Sequence, residues 1–162
     1  MYMEFLLFTK EELKKLYEER MSADFPDAEL KPLGAIYRMM DENHYEPLAV
    51  YDEGTLVGYA LMTKLQDEGC LLLDYLAVFK EYRKEGYGSR ILDMLKKRYS
   101  GMVIFIESEN PDFQQGEAKN VAEKRISFYQ KNGVADTGVL TKIWTVPYIN
   151  FYLSDRVFTE KE

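Results

Sequence analysis

Cysteine and histidine are almost missing: Cys70 and His44 are the only ones in 162 residues. A single cysteine excludes an internal disulfide and a multi-cysteine zinc site, and a single histidine excludes a histidine-rich metal centre. No metal site is therefore expected, and the thiol usage points to a reducing, cytoplasmic compartment. Glycine and proline number 10 and 5, too few for a collagenous or low-complexity chain. No apolar run approaches the roughly 18 residues of a membrane span. The short apolar start at residues 1–8 meets Lys10, Glu11 and Glu12 at once, without a basic leader or a small-residue cleavage site. Neither a signal peptide nor a membrane partner is expected. Positive charge is also in deficit, with 21 Lys and Arg against 28 Asp and Glu, a net −7. Such a field repels phosphate backbones and draws in cations, which disfavours nucleic acid and favours an amine-bearing partner.

What remains is ordinary globular material, 46% hydrophobic and 30% charged, enough for one domain over residues 1–162 with its own core. Residues 1–8 read as a first strand. Thr9 with Glu12 three positions on is a capping box that opens a helix to about Arg20, with Leu13, Leu16 and Tyr17 on one face. Phe25-Pro26 breaks it. A second helical stretch carries Leu30, Leu33, Ile36, Tyr37 and Met40, with Pro32 near the start of its regular part. Residues 46–51 and 55–63 are β-like runs joined by Asp52-Glu53-Gly54, a hairpin signal. Asp67-Glu68-Gly69 turns into Cys70–Val78, apolar enough for a central strand buried on both faces. A helix over about 86–98 follows, with Ile91, Leu92 and Leu95 as its stripe and Ser100-Gly101 as its end. Residues 102–106 form a short strand, 108–116 a polar loop, and 117–131 a helix stopped by Asn132-Gly133. Strands near 134–141 and 143–150 complete the order β-α-α-β-β-β-α-β-α-β-β. This is an α/β class: a mixed sheet with helices on both faces and a right-handed β-α-β unit at its centre.

Chemistry concentrates in Leu71 to Arg90, where a buried strand runs into Arg83-Lys84-Glu85-Gly86-Tyr87-Gly88 and then a helix. Two glycines leave successive backbone N–H groups open to a close anion. The helix N-terminus aims about half a positive charge at the same spot, and Arg83 and Lys84 add two full ones. The junction suits phosphate, although a glycine-rich turn chosen only for tight strand-to-helix geometry has the same composition. The Walker pattern Gly-x-x-x-x-Gly-Lys-Ser/Thr is absent. The dinucleotide fingerprint fails too, because Ile91 stands where a third small residue is needed and no β-α-β unit opens the chain.

Asp74-Tyr75-Leu76-Ala77-Val78 followed by Glu81-Tyr82-Arg83-x-x-Gly86-x-Gly88 resembles motif A of the GNAT superfamily of acyl-CoA-dependent N-acetyltransferases. Arg125-Ile126-Ser127-Phe128-Tyr129-Gln130-Lys131-Asn132-Gly133 resembles its motif B. The two stand in the family's order and separation, and the element order matches over essentially the whole chain. The resemblance implies that the backbone of Leu76, Ala77 and Val78 pairs with the pantetheine arm like an added strand. It implies that the diphosphate rests on the amides from Arg83 to Gly88, so that Lys84, Gly86, Tyr87 and the adjoining Ser89 join the cofactor site. It also makes Tyr129 the general acid beside the thioester sulfur. An Asn earlier in that helix often touches the cofactor in relatives; Ala122 takes that position here, and Asn120, two residues away, is the substitute. The family's commonest base position falls on Leu72, so the base must come from elsewhere.

Acetylating an amine poses two proton problems. A lysine-like amine is only about one part in a thousand neutral at pH 7, a barrier of roughly 4–5 kcal/mol. A base must take that proton, and an acid must supply one to the leaving thiolate. A phenol suits the second task, which fits Tyr129. For the first, Asp74 and Glu107 stand level, with Glu109 third. Period two puts Asp74 with Leu72 and Leu76, and Glu107 with Glu109 if the strand reaches that far. Each carboxylate serves equally well as a salt-bridged structural acid or as an anion that holds a cationic amine.

His44 reads as a solvated loop residue, Cys70 as a small filler, and the charged run from Glu11 to Arg20 as a solvated helix face. Trp144, Tyr148, Phe151 and Tyr152 either line an acceptor pocket or pack. The resulting expectation is an enzyme that moves acetyl from acetyl-CoA, its co-substrate, to a small cationic primary amine by direct attack. No Cys or Ser stands in a nucleophile arrangement for a covalent route. The chain is expected as a monomer or homodimer. The alternatives are a non-catalytic acyl-CoA-binding or regulatory domain and a protein-directed acetyltransferase.

Overall fold

The computed structural model describes residues 2–65, 69–143 and 145–156. Among the described residues, seven strands, β1 (Met3–Leu7), β2 (Tyr45–Asp52), β3 (Thr55–Lys64), β4 (Cys70–Val78), β5 (Val103–Glu109), β6 (Ala135–Ile143) and β7 (Val146–Leu153), are interspersed with four longer helices. The helices are α1 (Lys10–Leu16), α2 (Leu33–Asp41), α3 (Tyr87–Arg98) and α4 (Gly116–Lys131). The strands take the order β1-β2-β3-β4-β5-β7-β6 in one mixed sheet. β4 and β5, joined through α3, pair in parallel over Cys70–Leu72, while β1 with β2, β2 with β3, β5 with β7 and β6 with β7 are antiparallel. Element order and fold class agree with the reading of the sequence. The chain divides into two compact units, Met1–Leu65 with Asp74–Gly88 and Gln66–Leu73 with Ser89–Glu162.

In the first unit, Thr9 caps α1 through reciprocal bonds with Glu12, at 3.2 and 3.0 Å. The α-helix is shorter than the hydrophobic pattern suggests. It widens into a π-helical turn over Tyr17–Met21, then a three-residue turn at Ser22–Asp24, before Phe25 goes extended. Arg20, within that π turn, stays partly solvent-exposed and pairs with Glu81. Pro32 is the N-cap of α2 rather than one of its interior residues, so Leu30 lies outside the helix. Leu13, Leu16, Met21 and Ile36 pack with Phe8, Tyr45, Ala49, Tyr59, Leu61, Tyr75 and Phe79 into one core. Glu53 and Gly54 turn the β2–β3 hairpin with φ of 47° and 82°, the pair of positive values that a two-residue hairpin turn demands.

In the second unit, Ile91, Leu92 and Leu95 are buried as their spacing requires. β5 runs on to Glu109, so Ser108 and Glu109 pair with Ile149 and Tyr148 of β7 instead of opening a loop. The cause is visible in burial: Ile104, Ile106, Ser108 and Asn110 continue one inward-facing row, although the last two are polar. β4 alternates between buried Leu71, Leu73 and Tyr75 and half-buried neighbours, rather than being covered on both sides. Phe151 packs in the interior, and Tyr148 and Tyr152 are half-buried; Trp144 and the Asp67-Glu68 turn lie outside the described residues.

Candidate active site

The strand-to-helix junction lies in the first unit. β4 ends at Val78, a 3-10 turn spans Lys80–Tyr82, and α3 begins at Tyr87. Lys84 and Gly86 adopt φ of 69° and 80°, and residues 83–86 are exposed. A left-handed residue among ordinary ones gathers N–H groups into an anion-binding concavity. The amides of Lys84 and Gly86 donate to no protein acceptor among the described residues. A Cβ on Gly86 would meet nothing within 4 Å, so its glycine serves the backbone angle and not a packing contact. These residues fit a diphosphate.

The side chains around the junction do something else. Tyr87 is turned inward, its hydroxyl donating to Asp52 Oδ2 at 2.6 Å and its ring edge-on to Tyr82; only its backbone is presented outward. Arg83 donates through Nε to the Val78 carbonyl at 2.9 Å and pairs with Asp24 at 3.4 Å. Arg20 reaches Glu81 with both terminal nitrogens, at 3.2 and 3.0 Å, and stacks on Phe79 at 4.2 Å. The Arg20 guanidinium holds the Glu81 carboxyl below its ordinary range. One arginine from each side thus ties the turn around Asp24 to the junction, and Lys84 is an exposed cation in the same loop.

Leu76, Ala77 and Val78 are half-buried at the end of β4. Gly58 of β3 lets them sit close: a Cβ there would lie 2.4 Å from the Ala77 carbonyl oxygen and 3.2 Å from Val78 Cα. Gly58 was missed from sequence, yet its signal was present, a glycine inside the apolar run Leu56-Val57-Gly58-Tyr59-Ala60, which marks close backbone approach.

Tyr129, in the second unit, is buried on α4, its ring between Phe128 and Phe151 at 5.6 and 6.0 Å. Its hydroxyl makes no hydrogen bond with the described residues. Burial pushes the phenol pKa up, against a smaller opposing pull from Arg125. It therefore stays protonated, as a donor must. Ser89 is half-buried in the first turn of α3, Asn120 is exposed on α4, and Ala122 faces inward.

The carboxylates differ sharply. Glu107 is exposed and faces Asn150 across the β5–β7 pair; Glu109 is half-buried opposite Tyr148. They do share a face, because the strand extends through both. Ser108 between them is buried, and its Oγ has no partner among the described residues. Asp74, in the first unit, is in an ion pair: its Oδ2 accepts from Lys31 Nζ at 2.5 Å, Tyr45 at 3.2 Å and Thr63 at 3.4 Å. None of these three partners was legible, since they come from 11 to 43 residues away in sequence. His44 is an exposed loop residue and Cys70 a half-buried free thiol. Among the described residues no cluster of His, Cys, Asp and Glu could hold a metal, and no helix is long and apolar enough to cross a membrane.

Comparison with known proteins bears on the same segments. The acetyltransferase (GNAT) family model matches residues 10–134, both motifs included. The Bacillus subtilis (strain 168) protein YjbC, whose name assigns it to the acetyltransferases, is 26% identical over 113 residues, 70% of this chain. That match spans about half of YjbC's own length, 53%. A GNAT-family protein of Bacteroides thetaiotaomicron superposes with a TM-score of 0.76 at 20% identity, covering 95% of this chain and 88% of its own. The spermidine N-acetyltransferase of Vibrio cholerae, solved with CoA and spermine, gives a TM-score of 0.69 at 9% identity over 93% of this chain and 94% of its own. At such identities the structures speak for the fold alone; the sequence match over most of the chain decides the family. This chain belongs to the acetyltransferase (GNAT) family.

Proposed function

We propose that the protein transfers acetyl from acetyl-CoA to a small cationic primary amine by direct attack in a ternary complex. The observation that carries this reading is the junction after β4, where the amides of Lys84 and Gly86 have no acceptor among the described residues and the twelve-residue helix α3 begins. Helix dipole, open amides and the Lys84 charge act together on a diphosphate. Leu76, Ala77 and Val78 offer strand backbone to the pantetheine amides. Arg83, Tyr87 and Ser89 frame the loop, and Asn120 stands as an additional cofactor contact.

The chemical step then needs one acid and one base. The neutral amine nitrogen attacks the thioester carbon, the carbon–sulfur bond breaks, and Tyr129 gives its proton to the departing thiolate. Glu107 is our choice for the base that accepts the ammonium proton, directly or through water. Its exposure leaves it open to a water that could carry the proton, while Asp74 is part-buried in an ion pair. The net charge of −7 favours a cationic acceptor. A thiol-release assay with a panel of primary amines, run beside calorimetric CoA binding, tests the reading. Turnover of cationic amines supports it. CoA binding without thiol release from any amine would select the non-catalytic acyl-CoA-binding alternative, and consumption of peptides alone the protein-directed one.

A further inference from the structure

Asp74 interrupts a strand that otherwise reads Cys-Leu-Leu-Leu, then Tyr-Leu-Ala-Val. Its side chain is only 10% exposed. A carboxylate in such a place needs donors, and the sheet supplies two. Tyr45 and Thr63 are direct cross-strand partners on β2 and β3, and both hydroxyls reach Oδ2. Tyr45 is itself buried, and burial first, then the Asp74 charge, raise its pKa, so it remains a donor. These two hydroxyls and the carboxylate form a cup on regular strands, fixed independently of anything above it.

Lys31 is attached differently. It lies between a short 3-10 turn and the N-cap of α2, outside regular structure. Its backbone is pinned, with the N–H donating to Tyr75 and the carbonyl accepting from Tyr17 at 2.9 and 2.8 Å. Its side chain is 36% exposed, so the ammonium can swing into water without moving the chain. The bonds from Lys31, Tyr45 and Thr63 all fall on Asp74 Oδ2, and Oδ1 is the remaining acceptor of the carboxylate for a second cation. The group now held in the cup is a primary ammonium on a four-carbon stem, the same chemical class as the proposed acceptor.

We propose that the Asp74–Tyr45–Thr63 cup anchors the second, non-reacting ammonium of a dibasic acceptor, and that Lys31 is its internal occupant, displaced when that acceptor binds. The inference rests on the acetyltransferase reading above and names its acceptor class, a small α,ω-diamine. Asp74 stands three residues before Ala77 on β4, about 10 Å along the strand, so the cup lies on the same strand whose end is proposed to pair with pantetheine. Lys31 lowers the apparent affinity by the fraction of time it fills the cup, so it sets selectivity as well as occupancy.

The test compares the full-length protein with Lys31→Met and Asp74→Asn, using 1,4-diaminobutane and butylamine as acceptors. Lys31→Met is expected to lower the diamine KM about tenfold, as for a cup filled nine-tenths of the time. Asp74→Asn is expected to cut the diamine-to-monoamine ratio of kcat/KM at least tenfold, chiefly through KM. A fall in kcat for both amines alike would overturn the proposal and make Asp74 a base; so would a diamine KM that Lys31→Met leaves unchanged or raises. Should Asp74→Asn fail to fold, Lys31→Met alone still decides. If wild type turns over neither amine, the amine panel judges the acetyltransferase reading separately. Calorimetric binding of the diamine then judges the cup, tighter in Lys31→Met if it is a site and equal if it is not.

Discussion

Replacing Gly58 with alanine tests whether β3 and β4 are held at their observed spacing by the absence of one methyl group. The added Cβ would sit 2.4 Å from the Ala77 oxygen, with Val78 Cα at 3.2 Å and the Ala77 carbonyl carbon at 3.3 Å. All three are backbone atoms, so no side chain can rotate away. Reaching ordinary contact near 3.4 Å requires an opening of about 1 Å (3.4 − 2.4), a fifth of the normal spacing of roughly 4.8 Å between strands. The neighbouring bond from Phe79 N–H to the Val57 carbonyl, now 2.9 Å, would stretch well past hydrogen-bonding range. One or two ladder bonds at about 1 kcal/mol each, with about 1–3 kcal/mol of overpacking, give a loss of roughly 2–5 kcal/mol. For a chain of this size that lowers Tm by about 4–20 °C. Thermal unfolding followed by circular dichroism reads the change, and calorimetry should show weaker CoA binding, because the displaced stretch is the one proposed to pair with pantetheine. Gly34→Ala is the control: it lies in α2 with nothing within 4 Å and no left-handed φ, so it should stabilise by about 0.4–1 kcal/mol. A Gly58→Ala protein with wild-type Tm and CoA affinity would refute the close-approach argument.

Three other outcomes follow from the same structure. Gly86→Ala meets no steric obstacle but must hold φ near 80°, which costs about 1–2 kcal/mol; CoA binding should weaken while affinity for a pantetheine fragment lacking the diphosphate does not. Tyr129→Phe keeps the ring packing and loses a hydroxyl without a described partner, so Tm should hold while kcat falls by about 10²–10⁴; wild-type kcat should show no alkaline limb from this phenol below pH 10, because burial raises its pKa. Burial likewise raises the pKa of Tyr45 and Tyr59. The unfolded chain then releases phenolic protons first, near pH 10, so stability is intact below that pH and falls as pH rises above it, by up to about 1.4 kcal/mol per tyrosine per pH unit. Tyr45→Phe should flatten that slope in pH-dependent unfolding; an unchanged slope would contradict the burial of its hydroxyl.

The fold was legible where local chemistry and periodicity agreed. Thr9 with Glu12, Glu53-Gly54, Gly101 and Gly133 announced their caps and turns because each needs a particular side chain or a positive φ. The β4–α3 junction was legible for the same reason. What escaped the sequence depends on distant partners. Helical spacing ran α1 on to Arg20, but the long-range pair with Glu81, 61 residues away, accompanies a π turn that periodicity cannot encode. β5 was cut short because Ser108 and Asn110 are polar, although they occupy buried positions of its inward row. Asp74 was recognised as an unusual carboxylate, while its surroundings, Lys31 from an irregular segment and hydroxyls from two other strands, exist only once the sheet is assembled.

The central claim is that the loop from Arg83 to Gly88 binds the diphosphate of acyl-CoA through its backbone. Amide-resolved NMR of the labelled protein, titrated with CoA and in parallel with pantetheine, measures this directly. The amides of Lys84, Gly86 and Gly88 are expected to shift strongly and saturably with CoA, and to stay near their free positions with pantetheine. Shifts of those amides that are absent with CoA, or equal with both compounds, would contradict it.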